Sequence, residues 1–397
     1  MAYFSSVGNS ELVVENVCAK TAIKRKPIPL RTVELQKFLT RYLKISSDKL
    51  MKIAEELYVK GFISYPRTET DTFEHSFDFN RILEVLKSDN DVGSHIETLL
   101  LSGIHKPRSG PHNDNSHPPI HPLKCGTSLV GDSKRVYDYI LRRFVASCME
   151  DAKATRTTVH FRLNDEIFKA TSLEIVERNY LQVFTYDLWN ETILPNFSTG
   201  DLISNWQGTL VESSVCPPEL LTESGLIACM DRNQIGTDAT IHEHIQKVLE
   251  RRYVIEIKGK KLVPSFLGLK LAEFYDTFAD MTSLTKPQLR ASFEKMLNSI
   301  VEGSTPHSRI TSTYLDLYQQ VYHAVRGCFD RFVQDLQAVS STRPIQSRTI
   351  SESETVVVRC NCGLIPRKAS ARTERNMGRE FYSCVRESNR CDYFQWA

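Results

Sequence analysis

The chain is organised around Gly61-Phe62-Ile63-Ser64-Tyr65-Pro66-Arg67-Thr68-Glu69-Thr70. A phenol followed two residues later by a guanidinium suits phosphodiester chemistry: the Tyr65 oxygen can attack phosphorus while the Arg67 fork holds the non-bridging oxygens. Pro66 lacks an N–H and fixes its own φ, which stiffens the geometry between the two. A lone Tyr-Pro-Arg at a strand end is usually structural, so the sequence upstream has to decide. There, Thr32 is placed to cap a helix whose apolar positions are Leu35, Phe38, Leu39, Tyr42 and Leu43, the spacing of one buried face. Ser47 is placed to cap a second, with Leu50, Ile53, Ala54, Leu57 and Tyr58 on the same spacing and Gly61 at its C′ position. Phe62 and Ile63 then begin an extended segment. Two short helices leading into a strand are similar to a helix-turn-helix or winged-helix unit, with Tyr65 at its rim.

Outward from this unit the hydrophobic period divides the chain. Leu12-Val13-Val14 reads as a short strand, and Pro27 and Pro29 separate it from the first helix. Residues 28–150 read as helix-rich, with a polar loop from Lys106 to Ser116 and a closing helix around Val136, Tyr139, Ile140, Phe144 and Val145. From Thr155 to about Val211 the period falls to two, which marks a β region. After Pro217-Pro218 the pattern is helical to 338, and residues 340–357, rich in Ser and Thr, read as a linker. The domain boundaries expected are therefore 1–27, 28–150, 151–215, 216–339, 340–357 and 358–397.

Three further segments carry chemistry. Ser116-His117-Pro118-Pro119-Ile120-His121-Pro122 brings a histidine that can donate to a phosphate oxygen, though a Pro-rich surface turn explains it equally well. Asp231-Arg232-Asn233-Gln234-Ile235-Gly236-Thr237-Asp238-Ala239-Thr240-Ile241 opens a helix with Thr237 or Asp238 as cap, and its free N–H groups suit a DNA phosphate. Cys360, Cys362, Cys384 and Cys391 cluster in a segment with little apolar core, which suits a tetrahedral thiolate zinc site. Phe381, Tyr382, Tyr393, Phe394 and Trp396 lie among them as candidate stacking platforms for bases. The one Asp-x-Asp, Asp89 and Asp91, follows a helical stretch and reads as a solvated loop.

Together these motifs resemble the type IA DNA topoisomerases of the topoisomerase III alpha group, with a GRF-type zinc finger at the end. The resemblance covers most of residues 28–340 and the terminal 358–397. It implies a multidomain α+β fold: a helical tyrosine domain inserted in a β arch, a helical DNA-binding base, and a small zinc finger. It implies that Tyr65 is the nucleophile, with Arg67 and His117 beside it, and that Thr68, Gly236, Thr237, Asp238, Thr240 and Arg379 touch single-stranded DNA. Gln234 stands where the family usually has glycine, which puts the local turn in question. The family also begins with a Toprim domain whose Glu and Asp-x-Asp hold Mg²⁺, and no such acids stand in this sequence. Zn²⁺ in the finger, a RecQ-type helicase and an OB-fold scaffold as partners, and a nuclear location complete what the resemblance implies.

Composition agrees without deciding. Among 397 residues, 41% are hydrophobic and 25% charged, as in ordinary globular domains. No apolar run is long enough to span a bilayer, so no membrane anchor is expected. The net charge of +2 hides local runs: residues 16–33 carry five cations and no acid, and 359–397 carry eight cations against four acids. Such runs flanking a phosphate-directed motif suit a polyanion. The rival reading is a non-catalytic single-stranded DNA-binding protein; a repair nuclease finds no acid cluster to support it.

Overall fold

The structure is a computed structural model and describes residues 11–209, 211, 213–236, 240–278, 284–342, 367–370, 380–383 and 394–396. Two compact units divide the chain, Met1–Val325 and Arg326–Ala397.

In the first unit the sheet comes first in sequence and is completed last. Strand β1 (Leu12–Lys24) pairs antiparallel with β2 (Ala152–Leu163), from Val13 opposite Arg162 to Lys24 opposite Ala152. Strand β3 (Glu166–Glu177) adds to β2, and the short β4 (Leu202–Ile203) adds to the start of β1. Only the first three residues of β1 were legible as strand, because charged and exposed positions interrupt the alternation beyond Val14. The sheet's small core joins Val14, Val159 and Phe161.

Everything between Lys24 and Ala152 is the tyrosine unit. Helices α1 (Thr32–Leu43) and α2 (Ser47–Val59) bury Leu35, Leu39, Leu43, Leu50, Ile53, Ala54 and Leu57 of the face that the spacing predicts, whereas Tyr42 and Tyr58, expected on it, are exposed. The shorter α3 (Phe79–Leu86) and α4 (Gly93–Ser102) lead to α5 (Gly131–Ser147), which supplies Tyr137, Tyr139, Ile140 and Phe144 to the same core. The expected caps shift by one residue. Arg31 is the N-cap of α1, because Thr32 turns its hydroxyl to the Tyr65 segment; Ser46 caps α2, because Ser47 bonds elsewhere. Asp89 is buried rather than solvated: its carboxylate accepts from the N–H groups of Asp91 and Val92 and shapes the turn into α4.

Beyond the sheet, α6 (Glu223–Arg232) and α7 (Ile241–Glu250) pack on α1 and α2 through Val33, Ile227, Ile241 and Ile245. A hairpin of β5 (Val254–Ile257) and β6 (Lys261–Pro264) follows, in a region that reads as purely helical, before α8 (Phe266–Asp276), α9 (Pro287–Val301) and α10 (His307–Thr342). In the second unit β7 (Arg367–Ser370), β8 (Glu380–Ser383) and β9 (Phe394–Trp396) form an antiparallel three-stranded sheet. No helix among the described residues is long and apolar enough to cross a membrane.

Candidate active site

The end of α2 delivers Tyr65. Gly61 takes φ +71°, its N–H bonds the Tyr58 carbonyl, and the Phe62 N–H bonds that of Leu57, which closes the helix in a Schellman turn. The chain then runs extended against Pro119–Leu123: Ser64 N–H donates to the His121 carbonyl at 2.9 Å, and Leu123 N–H to the Phe62 carbonyl at 2.8 Å. This pairing lays the two sequence motifs side by side. The Tyr65 and His117 rings lie with centroids 4.6 Å apart, while Tyr58 meets Tyr65 edge-on at 5.3 Å.

The backbone on either side of Arg67 is clamped from α1. Thr32 Oγ1 donates to the Pro66 carbonyl at 2.7 Å and accepts from the Thr68 N–H at 2.8 Å. Arg67 Nε donates to Glu55 Oε1 at 2.8 Å, and its Nη2 reaches the same carboxylate, so a residue of α2 aims the guanidinium. Thr68, expected to touch DNA, is fully buried and donates its hydroxyl to Asp114. It holds the loop instead, because its side chain has no exposed surface to offer a strand.

Asp114 was not singled out in the sequence. Its carboxylate accepts from the Ser116 and His117 N–H groups at 2.8 and 2.9 Å, from the Thr70 hydroxyl at 2.9 Å, and from the Glu69 N–H at 3.2 Å. Partial burial pushes its pKa up, but these donors outweigh it and hold the carboxyl at about 2. His117 Nδ1 lies 4.0 Å from Asp114 Oδ2, so the carboxylate fixes the histidine chiefly through its backbone. The neighbouring Asp71 is buried and binds His112 Nδ1 at 2.7 Å. Gly110 is required there, since a Cβ would stand 2.3 Å from the Asp71 carboxyl carbon. His121 lies under the site: Nδ1 bonds the Pro119 carbonyl, its ring packs on Phe73 and Phe77, and burial lowers its pKa.

The base motif reaches the same place. Gln234 adopts φ +54° and Gly236 φ +81°, so the turn keeps a left-handed shape where glutamine replaces the usual glycine. Thr240, not Thr237 or Asp238, stands at the N-cap of α7; Thr237 and Asp238 lie outside the described residues. His242 on this first turn is buried with Nδ1 unpartnered, and burial, with the Arg67 charge next in size, lowers its pKa. Arg31 joins the two parts, donating to both oxygens of Asp231 at 3.0 Å. Cys360, Cys362, Cys384, Cys391 and Arg379 lie outside the described residues. Among the described residues no group of three His, Cys, Asp or Glu side chains is placed to hold a metal ion.

A tyrosine thus stands against a histidine and beside an arginine anchored on Glu55, at the rim of a helical unit set into a sheet. The family described as DNA topoisomerase matches residues 1–311, and the GRF zinc finger matches residues 358–397; the chain belongs to the DNA topoisomerase family. It is 40% identical over 326 residues to DNA topoisomerase 3 of Schizosaccharomyces pombe, covering 80% of this chain and 52% of that one. It is 39% identical over 309 residues to human DNA topoisomerase 3-alpha, covering 78% of this chain and 31% of that one. The chain thus spans about half or less of these relatives. A full-length topoisomerase I structure from Thermotoga maritima superposes with a TM-score of 0.67 at 20% identity, covering all of this chain and 61% of that one. That likeness bears out the mixed α and β fold.

Proposed function

We propose that the chain breaks and rejoins single-stranded DNA through Tyr65, relaxing negative supercoils and resolving recombination and replication intermediates. The observation that carries this reading is the Tyr65–His117 ring pair at 4.6 Å beside an arginine anchored on Glu55. Tyr65 Oη forms a bond to phosphorus as the P–O3′ bond breaks; the phenolic proton passes to solvent and the departing 3′ oxygen takes one up. The products are a 5′-phosphotyrosine and a 3′-hydroxyl. One phosphodiester replaces another, so resealing is the same step reversed and needs no ATP. Arg67 neutralises the non-bridging oxygens, His117 donates a hydrogen bond to one of them, and the Thr32 clamp keeps Tyr65 and Arg67 in register as charge builds on those oxygens.

The proposal has further parts. Gly236, Thr237, Asp238 and Thr240 offer the start of α7 to the strand. Cys360, Cys362, Cys384 and Cys391 hold Zn²⁺ in a finger that grips single strands, with Arg379 on a phosphate. A Mg²⁺ requirement belongs to it, with ligands outside the described residues. So do a nuclear location and partnership with a RecQ-type helicase and an OB-fold scaffold.

Detergent trapping on labelled single-stranded DNA tests the core of it, with Mg²⁺ and a Toprim domain present in cis or added. A covalent adduct at the 5′ phosphate is expected, absent in Tyr65→Phe while binding is kept. An adduct that survives Tyr65→Phe overturns the nucleophile, and its absence throughout favours the non-catalytic DNA-binding rival.

A further inference from the structure

A groove of about 480 Å³ adjoins the candidate active site, with His117 in its wall. Phe73 and Phe77 supply aromatic surface, their rings 4.4 Å apart. Asn113 and Asn115 supply amides. Asn113 Oδ1 accepts from the Asn115 N–H at 2.9 Å and from the Thr70 hydroxyl at 3.4 Å. Neither asparagine amide nitrogen has a partner among the described residues. No lysine or arginine lines the groove, and Glu74 does, so it does not suit a phosphate. Aromatic faces with free amide donors and no fixed cation suit an uncharged, planar, hydrogen-bonding ring, which is a nucleobase.

Position names the nucleotide. His117 belongs both to the groove and to the ring pair with Tyr65, so the groove begins one side chain from the phenol. A nucleotide joined to Tyr65 through its 5′ phosphate carries its base one sugar away from that phosphorus. We propose that this groove receives the base of the nucleotide whose 5′ phosphate becomes bonded to Tyr65, holding the cleaved end in place until the 3′-hydroxyl returns. The inference rests on Tyr65 being the nucleophile. It goes further, because it assigns base contact to the loop 113–117 and the segment 73–77.

The test uses the full chain with Mg²⁺ and a Toprim domain present in cis or added, and single-stranded oligonucleotides whose cleavage position has been mapped by adduct trapping. An abasic residue is placed in turn at each position around the scissile phosphate. Loss of the base on the 3′ side of that phosphate is expected to weaken binding about five- to tenfold, the size of one stacked base. The variant pairs Asn113→Ser, which keeps an oxygen for the turn, with Asn115→Gly, suited to the φ of +55° at that position. In it the abasic penalty should be smaller than in the wild type but not abolished, because the amides are gone while Phe73 and Phe77 remain, with adduct formation retained. An adduct formed normally, with an equal abasic penalty in both proteins or none in either, overturns the groove assignment alone. No Tyr65-dependent adduct at all overturns the reading beneath it as well.

Discussion

Asp114 shows how much of the candidate site depends on a single carboxylate. Five donors from Thr68, Glu69, Thr70, Ser116 and His117 converge on it, so Asp114→Ala leaves several of them unmatched and is expected to destabilise the tyrosine unit by about 2 kcal/mol. The histidine loop should loosen first, visible as faster amide exchange at Ser116 and His117. The pH dependence follows from a carboxyl pKa depressed to about 2. Its contribution is complete above the unfolded value of about 4 and is lost as pH falls from there towards 2. Wild-type melting temperature should therefore fall across that window more steeply than that of Asp114→Asn. Gln36 gives the opposite kind of prediction. Its side chain is fully buried on α1 with neither amide atom bonded, and Gln36→Met is expected to raise stability by about 1 kcal/mol, read from thermal melting. Neither residue stood out in the sequence. Asp114 has partners in two segments more than forty residues apart, and Gln36 is defined by what surrounds it; no local pattern carries either fact.

At the scale of elements, α6 is fastened to α1 and α2 by polar groups as well as by apolar packing. Asp231 pairs with Arg31, the Glu223 carboxylate accepts from the N–H and hydroxyl of Ser47, and the Ser224 hydroxyl donates to the Lys37 carbonyl at 2.6 Å. The apolar part of this contact joins Val33, Ile227, Ile241 and Ile245, with Leu226, Met230 and Leu249 packed against them. Asp231→Asn is expected to weaken the α1–α6 contact by about 1–3 kcal/mol, seen as a longer or broader distance between spin labels on the two helices. His242 makes the α7 contact sensitive to acid. Its lowered pKa means that the closed form resists protonation, so the contact is intact above about 6.5 and weakens as pH falls below it. Arg67, Glu55 and Asp48 from the tyrosine unit and Glu243 on α7 set its field. His242→Leu should remove that acid sensitivity from the same distance measurement; a wild-type distance unchanged between pH 7.5 and 5.5 counts against it. The faces of α1 and α2 were legible because their periodicity is local, whereas their caps were misassigned by one residue. Thr32 and Ser47 are good caps in isolation, but both hydroxyls are drawn to partners far along the chain. The β5–β6 hairpin was missed although Val254-Ile255-Glu256-Ile257 and Gly259 offered the signal, since four-residue strands are too short for periodicity to separate from helix.

For the whole chain, residues 358–397 are expected to bind zinc in proportion to protein and to lose it on Cys384→Ser, as metal analysis would show. Removal of 340–397 should lower single-strand affinity and its salt dependence while the 28–338 body melts as before. The order of helical, β and helical regions was readable because each keeps one hydrophobic period for many residues. What could not be read is which strands meet, since β1 and β2 are separated by the entire tyrosine unit.

That separation has a mechanical consequence. The unit leaves the sheet at Lys24 and returns at Ala152, directly opposite one another, and Asp151 ties the two ends together through Arg25 and the Lys26 N–H. A pull on the tyrosine unit therefore draws β1 and β2 in the same direction. The hydrogen bonds between the two strands feel little shear, and the load passes outward to β3 and β4 at their flanks. The long central ribbon behaves as one stiff strap, able to bear repeated pulling without being unzipped.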